Sequence, residues 1–541
     1  MSASTKKKLR NAQEAQKLTE RQLAEQKEAK KMKIYTISFV AVVALLLVIA
    51  VTVGAVNLVN GSGLRERSTI AMTVNGEKVN SVEMSYFFMD YVQNYANQNI
   101  YLSYMMDVSQ PLDQQIYDIT TGETWADFFL AMAQRNVQSV YALSNAAKAE
   151  GYTLSADELA SLDTTFSNLN VYAAIYGFAS AEEYLKAMYG SGADLDSYRV
   201  YCERSMLANS YYNAHSETIT YDDAAIRAAE EGCFDDYSSF TYSSYYMPVT
   251  KFLEGGTTTE TGGTLYSDEE KAAAQAAALE AAESLTDAET ITTLEALNEA
   301  IAALPINASL ETPASSSAYS DVLFTSIDST ISGWLAGDRT EGDLTYIART
   351  STAEDGTTEI VGYYIVWFVS RNDNTAPLAN VRHILISFEG GTTDANGNTV
   401  YSEAEIAAAW ATAEDLLTQW ENGEATEESF AALATEFSTD PGSVENGGLY
   451  TDVRPGDMVE TFDAWCFDGR QAGDTGIVET SYGVHIMYYS GDSDLTYRDA
   501  MIADKLLAAD METWYNGILE TCPYTLDEKK YLPLDMVLSA G

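Results

Sequence analysis

The 541-residue sequence predicts an α+β chain with an N-terminal transmembrane helix, a mostly helical region, two related α+β segments and a C-terminal helix. Three observations carry that prediction. Residues 34–56 form a run of 23 positions without a charged side chain. Residues 81–233 show helical patterning with S-x-x-E starts, the signature of a capped helix N-terminus. A strand, a Gly/Thr loop and an Ala-rich helix then occur twice, near 245–274 and again near 383–409.

Length and charge bound the function. A chain this long holds several cores at about 150 residues each. Residues 1–33 carry 10 Lys/Arg and 4 Asp/Glu, so the remainder has 21 basic against 76 acidic side chains, a balance of −55. Such a surface repels phosphate backbones and gains nothing from counterion release, which excludes a nucleic-acid partner. Cys202, Cys233, Cys466 and Cys522 form no C-x-x-C pair, so neither a zinc knuckle nor a thioredoxin-like motif is encoded. The spacing permits a Cys202–Cys233 disulfide.

In chain order, residues 1–33 are a basic, helix-forming cytoplasmic segment. Residues 34–56 span roughly 34 Å as a helix, enough for a bilayer core of about 30 Å. The basic flank on the N-terminal side keeps that end in the cytoplasm and sends residues 57–541 outward. A cleavable signal peptide competes, with Val53-Gly54-Ala55 as a cleavage context, but the apolar run and the segment before it are longer than that reading wants. The expectation is therefore an uncleaved anchor at the cell membrane. Val74-Asn75-Gly76-Glu77 reads as a hairpin turn. Helices start at Ser155 and Ser180, with Gly177 and Gly190 as stops. Tyr86, Tyr91, Tyr95, Met105, Met106, Tyr184 and Met188 read as core, with an adaptable apolar groove as the alternative. The last helical pattern, through Ile502, Leu506, Met511, Trp514 and Ile518, lies in 493–541.

The repeat places Tyr245-Tyr246-Met247 and Glu254-Gly255-Gly256 against His383-Ile384-Leu385 and Glu389-Gly390-Gly391. It also places Gly362-Tyr363-Tyr364 against Gly483-Val484-His485. In this register His383 falls opposite Tyr245 and His485 opposite Tyr364. A strand histidine is most often a hydrogen-bonded core residue. Joint absence of both from the first copy instead points to a site kept only in the second.

The second copy resembles a parvulin-type peptidyl-prolyl cis/trans isomerase domain. The motifs are Val381-Arg382-His383-Ile384-Leu385, Phe430-Ala431-Ala432-Leu433-Ala434 and Phe437-Ser438-Thr439-Asp440-Pro441-Gly442-Ser443. Glu445-Asn446-Gly447-Gly448, then Pro455-Gly456-Asp457-Met458 through Phe462, and Tyr482-Gly483-Val484-His485 complete them. The layout is similar to that of the extracytoplasmic foldases PrsA and SurA. The resemblance implies a helical chaperone-like region at 57–240, a degenerate parvulin-like domain at 241–376, the isomerase domain at 377–492 and a C-terminal helix and tail at 493–541. It assigns His383 and His485 to the pocket floor, Asp440 to a position near the chemistry and Thr480 to a hydroxyl beside the second histidine. Met458, Phe462 and Tyr450 become the cup for the proline ring. Gly447-Gly448-Leu449-Tyr450-Thr451 departs from the family's Gly-Gly-Asp-Leu-Gly.

That residue set suits the reaction. Turning an X-Pro bond needs no nucleophile, metal or cofactor, only a dry cup and surroundings that favour the twisted amide. The implied partners are unfolded or newly secreted polypeptides containing proline. No Lys or Arg lies between Arg382 and Arg454, so a phosphoserine before the proline finds no charge partner. Two rivals use the same residues. One is a membrane-tethered holdase with an idle pocket; the other, a metal site of His383, His485 and Asp440, is made unnecessary by the resemblance. No G-x-S-x-G or H-E-x-x-H pattern supports a hydrolase.

Overall fold

The computed structural model describes residues 6–8, 62–99, 102–258, 263–287, 289–353, 355–394 and 397–538. The apolar run at 34–56 lies outside them, and among the described residues no helix is long and apolar enough to cross a membrane. The chain divides into two compact units, residues 1–219 with 510–541 and residues 220–509.

The first unit opens with a hairpin, β1 (Ile70–Val74) and β2 (Glu77–Asn80). Asn75 and Gly76 turn it with φ of 47° and 82°, the left-handed pair a two-residue turn needs and Asn-Gly supplies. A strand from the far end of the chain, Tyr524–Leu526, pairs with β1 and sets Met72 opposite Leu526. Helices follow: α1 (Ser81–Gln98), α2 (Trp125–Ala149), α3 (Ala156–Ile175), α4 (Ala181–Tyr189) and α5 (Leu195–Glu217). Ser155 and Glu158 cap α3 reciprocally. At Ser180 only half of the expected box forms, because the Glu183 carboxylate accepts from the Ala179 amide instead. Tyr86 and Met106 are buried in the core and Tyr91, Tyr95 and Met188 pack against it, whereas Met105 is 55% exposed. Tyr184 is half-buried and stacks on Tyr176. The third histidine, His215, stacks flat on Trp514 with ring centroids 3.9 Å apart. All four cysteines are free, so the disulfide that the spacing permits is not made.

The second unit contains the repeat. After α6 (Asp223–Glu230), the first copy runs β3 (Ser239–Pro248), α7 (Asp268–Leu285), α8 (Leu294–Ala303), β4 (Ser317–Leu323), α9 (Ser329–Leu335), β5 (Leu344–Thr352) and β6 (Thr358–Asn372). The second runs β7 (Pro377–Ser387), α10 (Glu403–Glu421), α11 (Glu427–Phe437), β8 (Leu449–Val453), α12 (Glu460–Cys466), β9 (Thr475–Thr480) and β10 (Gly483–Thr496). The antiparallel sheets have the orders β4-β3-β6-β5 and β8-β7-β10-β9, the same topology twice. One face of each sheet carries the Ala-rich helix and its successor. There Ala274, Ala278 and Ala282 of α7, and Ala409 and Ala413 of α10, are buried. The other face carries the short helix, α9 through Ile331 and Leu335 or α12 through Phe462 and Trp465. Even the detail recurs, since Arg339 lies over Trp334 at 4.5 Å and Arg470 over Trp465 at 4.9 Å.

Sheet register corrects the sequence alignment at one point. Gly362 pairs with Pro248 and Gly483 with Ser387, so Tyr364, opposite Tyr246, corresponds to His485, opposite Leu385. Two residues earlier on the partner strand, His383 then corresponds to Ser244, not to Tyr245. Tyr245 packs with the helix-covered face, as Ile384 does. The slip has a physical origin. The first copy inserts a four-residue 3₁₀ turn, Val249–Phe252, between its strand and its Gly/Thr loop, so the strand-to-loop spacing differs between the copies and the loop does not fix the strand register.

A buried arginine ties these elements. Arg498, at the start of the C-terminal helix Tyr497–Glu520, is 1% exposed. Its guanidinium lies 3.6 Å from the Phe234 ring centre, pairs with Glu230 at 2.5 Å and donates to the carbonyls of Asp373 and Phe234. Breaking such a pair strands the partner charge. Arg498→Met is expected to cost about 3–5 kcal/mol in urea unfolding; an unchanged midpoint would contradict this role.

Candidate functional site

Period-two alternation sends Val381, His383 and Leu385 to the α12 side of the sheet and Ile384 to the opposite core. On β10 the same rule sends His485, Met487 and Tyr489 to the α12 side. Pairing sets His383 opposite Met487 and Leu385 opposite His485, which makes the histidines diagonal neighbours. Both are buried, at 3% and 5% exposure, with their Nδ1 atoms 2.9 Å apart.

Partners at either end fix the protons. His383 Nε2 lies 2.9 Å from Asp440 Oδ2 and 3.0 Å from Ser443 Oγ. Ser443 Oγ and Tyr450 Oη both donate to Asp440 Oδ2, at 2.5 and 2.9 Å. An acceptor-only carboxylate requires His383 to carry its proton on Nε2. His383 Nδ1 is then an acceptor, so His485 must donate from Nδ1. His485 Nε2 is in turn an acceptor, and the Thr480 hydroxyl 2.8 Å away donates to it. The Tyr482 amide completes the order by donating to Thr480 Oγ1 at 3.1 Å. Each link dictates the next.

Electrostatics agree with that order. Burial depresses His383 and takes His485 down to about 4, the latter with repulsion from His383 added, so both imidazoles are neutral at pH 7. Burial pushes Asp440 up, but the hydrogen bonds from Ser443, Tyr450 and His383 outweigh it and hold the carboxyl at about 2. Tyr450 is pushed up to about 12 by burial and by Asp440, and so remains a donor. The result is one fixed negative charge at the edge of a neutral floor.

Above the floor, Phe462 sets its edge against both imidazoles with centroids 5.4 Å away, and half-buried Met458 packs in the same cluster. Tyr450 lies over His383 with centroids 5.4 Å apart. All seven residues expected at the site therefore meet there. Tyr450 does more than the cup position implies, because its hydroxyl holds Asp440. Ser443, 1% exposed, is a member to which the sequence assigned no role. Its signal is the spacing, three residues after Asp440, where a turn closes from the Val444 amide to the Asp440 carbonyl.

The backbone demands the Gly-Gly pair that survives the motif's departure. Gly448 has φ of 75°, and a Cβ there would lie 2.2 Å from the His383 carbonyl oxygen. Its own carbonyl receives the His383 amide at 2.9 Å. Leu449 and Tyr450 that follow sit in β8 opposite Arg382 and Val381, so the departure leaves strand pairing intact. All four imidazole nitrogens are engaged within the chain, which leaves no lone pair to ligate a metal.

Residues 363–490 match the family model of the PPIC-type PPIase domain. The chain carries a parvulin-type domain. Similar chains include the foldase protein PrsA 1 of Listeria innocua, 33% identical over 126 residues that cover 23% of this chain and 32% of that one. The chaperone SurA of Chromohalobacter salexigens is 34% identical over 151 residues, 26% of this chain and 30% of its own. Among solved structures, PrsA from Bacillus subtilis is 14% identical over 78% of this chain and 98% of its own, with a TM-score of 0.25. The chain thus spans about a third of the length of the curated relatives it matches. The parvulin domain contains the whole hydrogen-bonded chain from Thr480 to Asp440.

A depressed folded-state histidine pKa means that the unfolded chain binds protons first as pH falls. Stability from His485 is complete above its unfolded value near 6.5 and is lost as pH drops from there toward about 4. Asp440 acts only lower, as pH falls from its unfolded value toward about 2. Urea midpoints should fall between pH 7.5 and 4.5 by an amount containing about 3 kcal/mol from His485. In His485→Gln that component should vanish; an equal pH slope in the variant would contradict the buried neutral pair.

Proposed function

We propose that this protein is a membrane-anchored extracytoplasmic foldase that isomerises X-Pro bonds in secreted or unfolded polypeptides and also holds them as a chaperone. The observation that carries the reading is the proton-ordered chain Thr480–His485–His383–Asp440 beneath Met458, Phe462 and Tyr450, inside the segment that matches the PPIC-type model. The placement outside the membrane follows from the uncharged run at 34–56 and the basic residues before it.

The chemistry needs no proton transfer. A planar amide is stabilised by a resonance form with negative charge on oxygen, and a carboxylate beside that oxygen disfavours the form and eases rotation about C–N. Asp440 Oδ1 is placed for this. Among the described residues its one partner is the Gly442 amide at 3.3 Å, whereas Oδ2 takes the three strong donors. The cup of Met458 and Phe462 excludes water, so the charge acts in a low-dielectric surrounding. The histidines keep Asp440 in position and present a floor without charge.

The first copy is read as a degenerate parvulin-like domain. It keeps the sheet, the helices and the Trp–Arg stack, but has Ser244 and Tyr364 at the histidine positions. This supports a holding role for that copy, and it favours one alternative for the whole chain, a tethered holdase with an idle pocket.

Proline-limited refolding distinguishes the two. Asp440→Ala is expected to lower kcat/KM at least about tenfold with the circular dichroism spectrum unchanged. Peptides with Ser-Pro and phosphoSer-Pro should be turned over alike, since Arg382 is already held by Glu427 at 2.8 Å. Full activity in the Asp440 variant would overturn the mechanism; no acceleration by the wild-type chain, with aggregation still suppressed, would leave the holdase.

A further inference from the structure

A trough of about 610 Å³ lies beside the residues of the proline cup. Thr480, whose hydroxyl holds His485, lines the trough, and Val459 and Thr461 of the trough are the chain neighbours of Met458 and Phe462 of the cup. The trough's apolar lining is Phe388, Val400, Ile406 and Val459, with Val400 51% and Val459 37% exposed. Its two acidic members are Glu460, the first residue of α12, and Glu479, near the end of β9.

The carboxylates are not matched within the domain. Residues 377–496 contain three cationic side chains, and each is already paired: Arg382 with Glu427, Arg454 with Asp504 and Arg470 with Asp468. Among the described residues neither Glu460 nor Glu479 has a cationic partner. Glu479 is nevertheless fixed, because the Trp410 indole donates to it at 2.5 Å. Thr461 Oγ1 bonds the Glu479 carbonyl at 2.6 Å and so ties the two acidic positions together.

We infer that this trough is a substrate subsite that takes the residue flanking the proline and selects a long basic side chain. A lysine or arginine lays its aliphatic stem along apolar surface and keeps its charged end in water, which is the pattern of an apolar trough with carboxylates at its edge. An acidic side chain in the same place meets two like charges. The inference deepens the isomerase reading and rests on it, since the trough's place beside the cup is what brings a substrate residue there.

The test uses the full chain and peptides with Lys, Leu or Glu immediately before or after a single proline, with exchange followed by NMR. At one of the two positions the Lys peptide should have kcat/KM about threefold or more above the Glu peptide, the gain expected of solvent-exposed charge pairs. Raising salt from about 0.02 M to about 0.5 M should shrink that ratio. In the Glu460→Gln/Glu479→Gln variant the ratio should fall close to one. Glu460→Gln alone, which leaves the Trp410 bond untouched, should lower it in part. Equal turnover of Lys and Glu peptides at both positions, or an intact ratio in the double variant, would overturn the inference. If no peptide is turned over, the isomerase reading itself fails, and peptide affinities then decide the trough. Tighter binding of Lys than Glu peptides upholds it, and equal binding overturns it.

Discussion

The hydrogen bond between two buried imidazoles is the constraint on which the site depends. Nδ1 facing Nδ1 permits only one proton between the rings, so the pair cannot both be charged and cannot both accept. Asp440 breaks the symmetry at one end and Thr480 at the other. Once the carboxylate is an acceptor, every hydroxyl and ring nitrogen from Tyr450 to Tyr482 has a single role. A buried polar network satisfied at every member is rigid, and one missing partner would leave an expensive orphan. The site is therefore an all-or-none assembly whose product is a charge, held on Asp440 at the edge of an apolar cup.

The two sheets of the second unit show which parts of that assembly belong to the fold and which to the chemistry. Strand order, the Ala-rich helix lying close on the sheet, the short helix on the other face and the arginine stacked on tryptophan are common to both. The first copy fills the positions of His383 and His485 with Ser244 and Tyr364. Tyr364 there donates its hydroxyl to Asp328 at 2.9 Å, and its ring packs on Tyr246. The sheet needs neither histidine for stability. What the second copy adds over the shared frame is the polar network.

Much of this was legible in the residues because the signals are local. The Asn75-Gly76 turn, the serine cap at Ser155 and the alternation around His383 each depend on a few neighbouring positions, and each forms. The cap at Ser180 forms by half, since a carboxylate with two amides in reach can choose the other one. Failures arise where the deciding partner is distant. A 3₁₀ turn in the first copy changes the spacing from strand to loop, so the loop could not fix the register and His383 was set opposite Tyr245. Tyr450 read as an apolar wall because its hydroxyl partner, Asp440, is set by a turn and not by strand pattern. Ser443 gained its role only when the turn brought it under His383. The strand Tyr524–Leu526 had no sequence signal at all, because its partner β1 lies some 450 residues earlier. The site's members were readable from the family's motifs; the direction of every proton was not.

That direction can be measured without any assay of turnover. Ring-nitrogen chemical shifts of the three histidines at pH 7, assigned with single variants, report tautomer and charge directly. The account predicts two neutral rings in opposite tautomers, His383 protonated on Nε2 and His485 on Nδ1. An imidazolium at either position, or the same tautomer at both, would contradict the ordered chain on which the pocket is built.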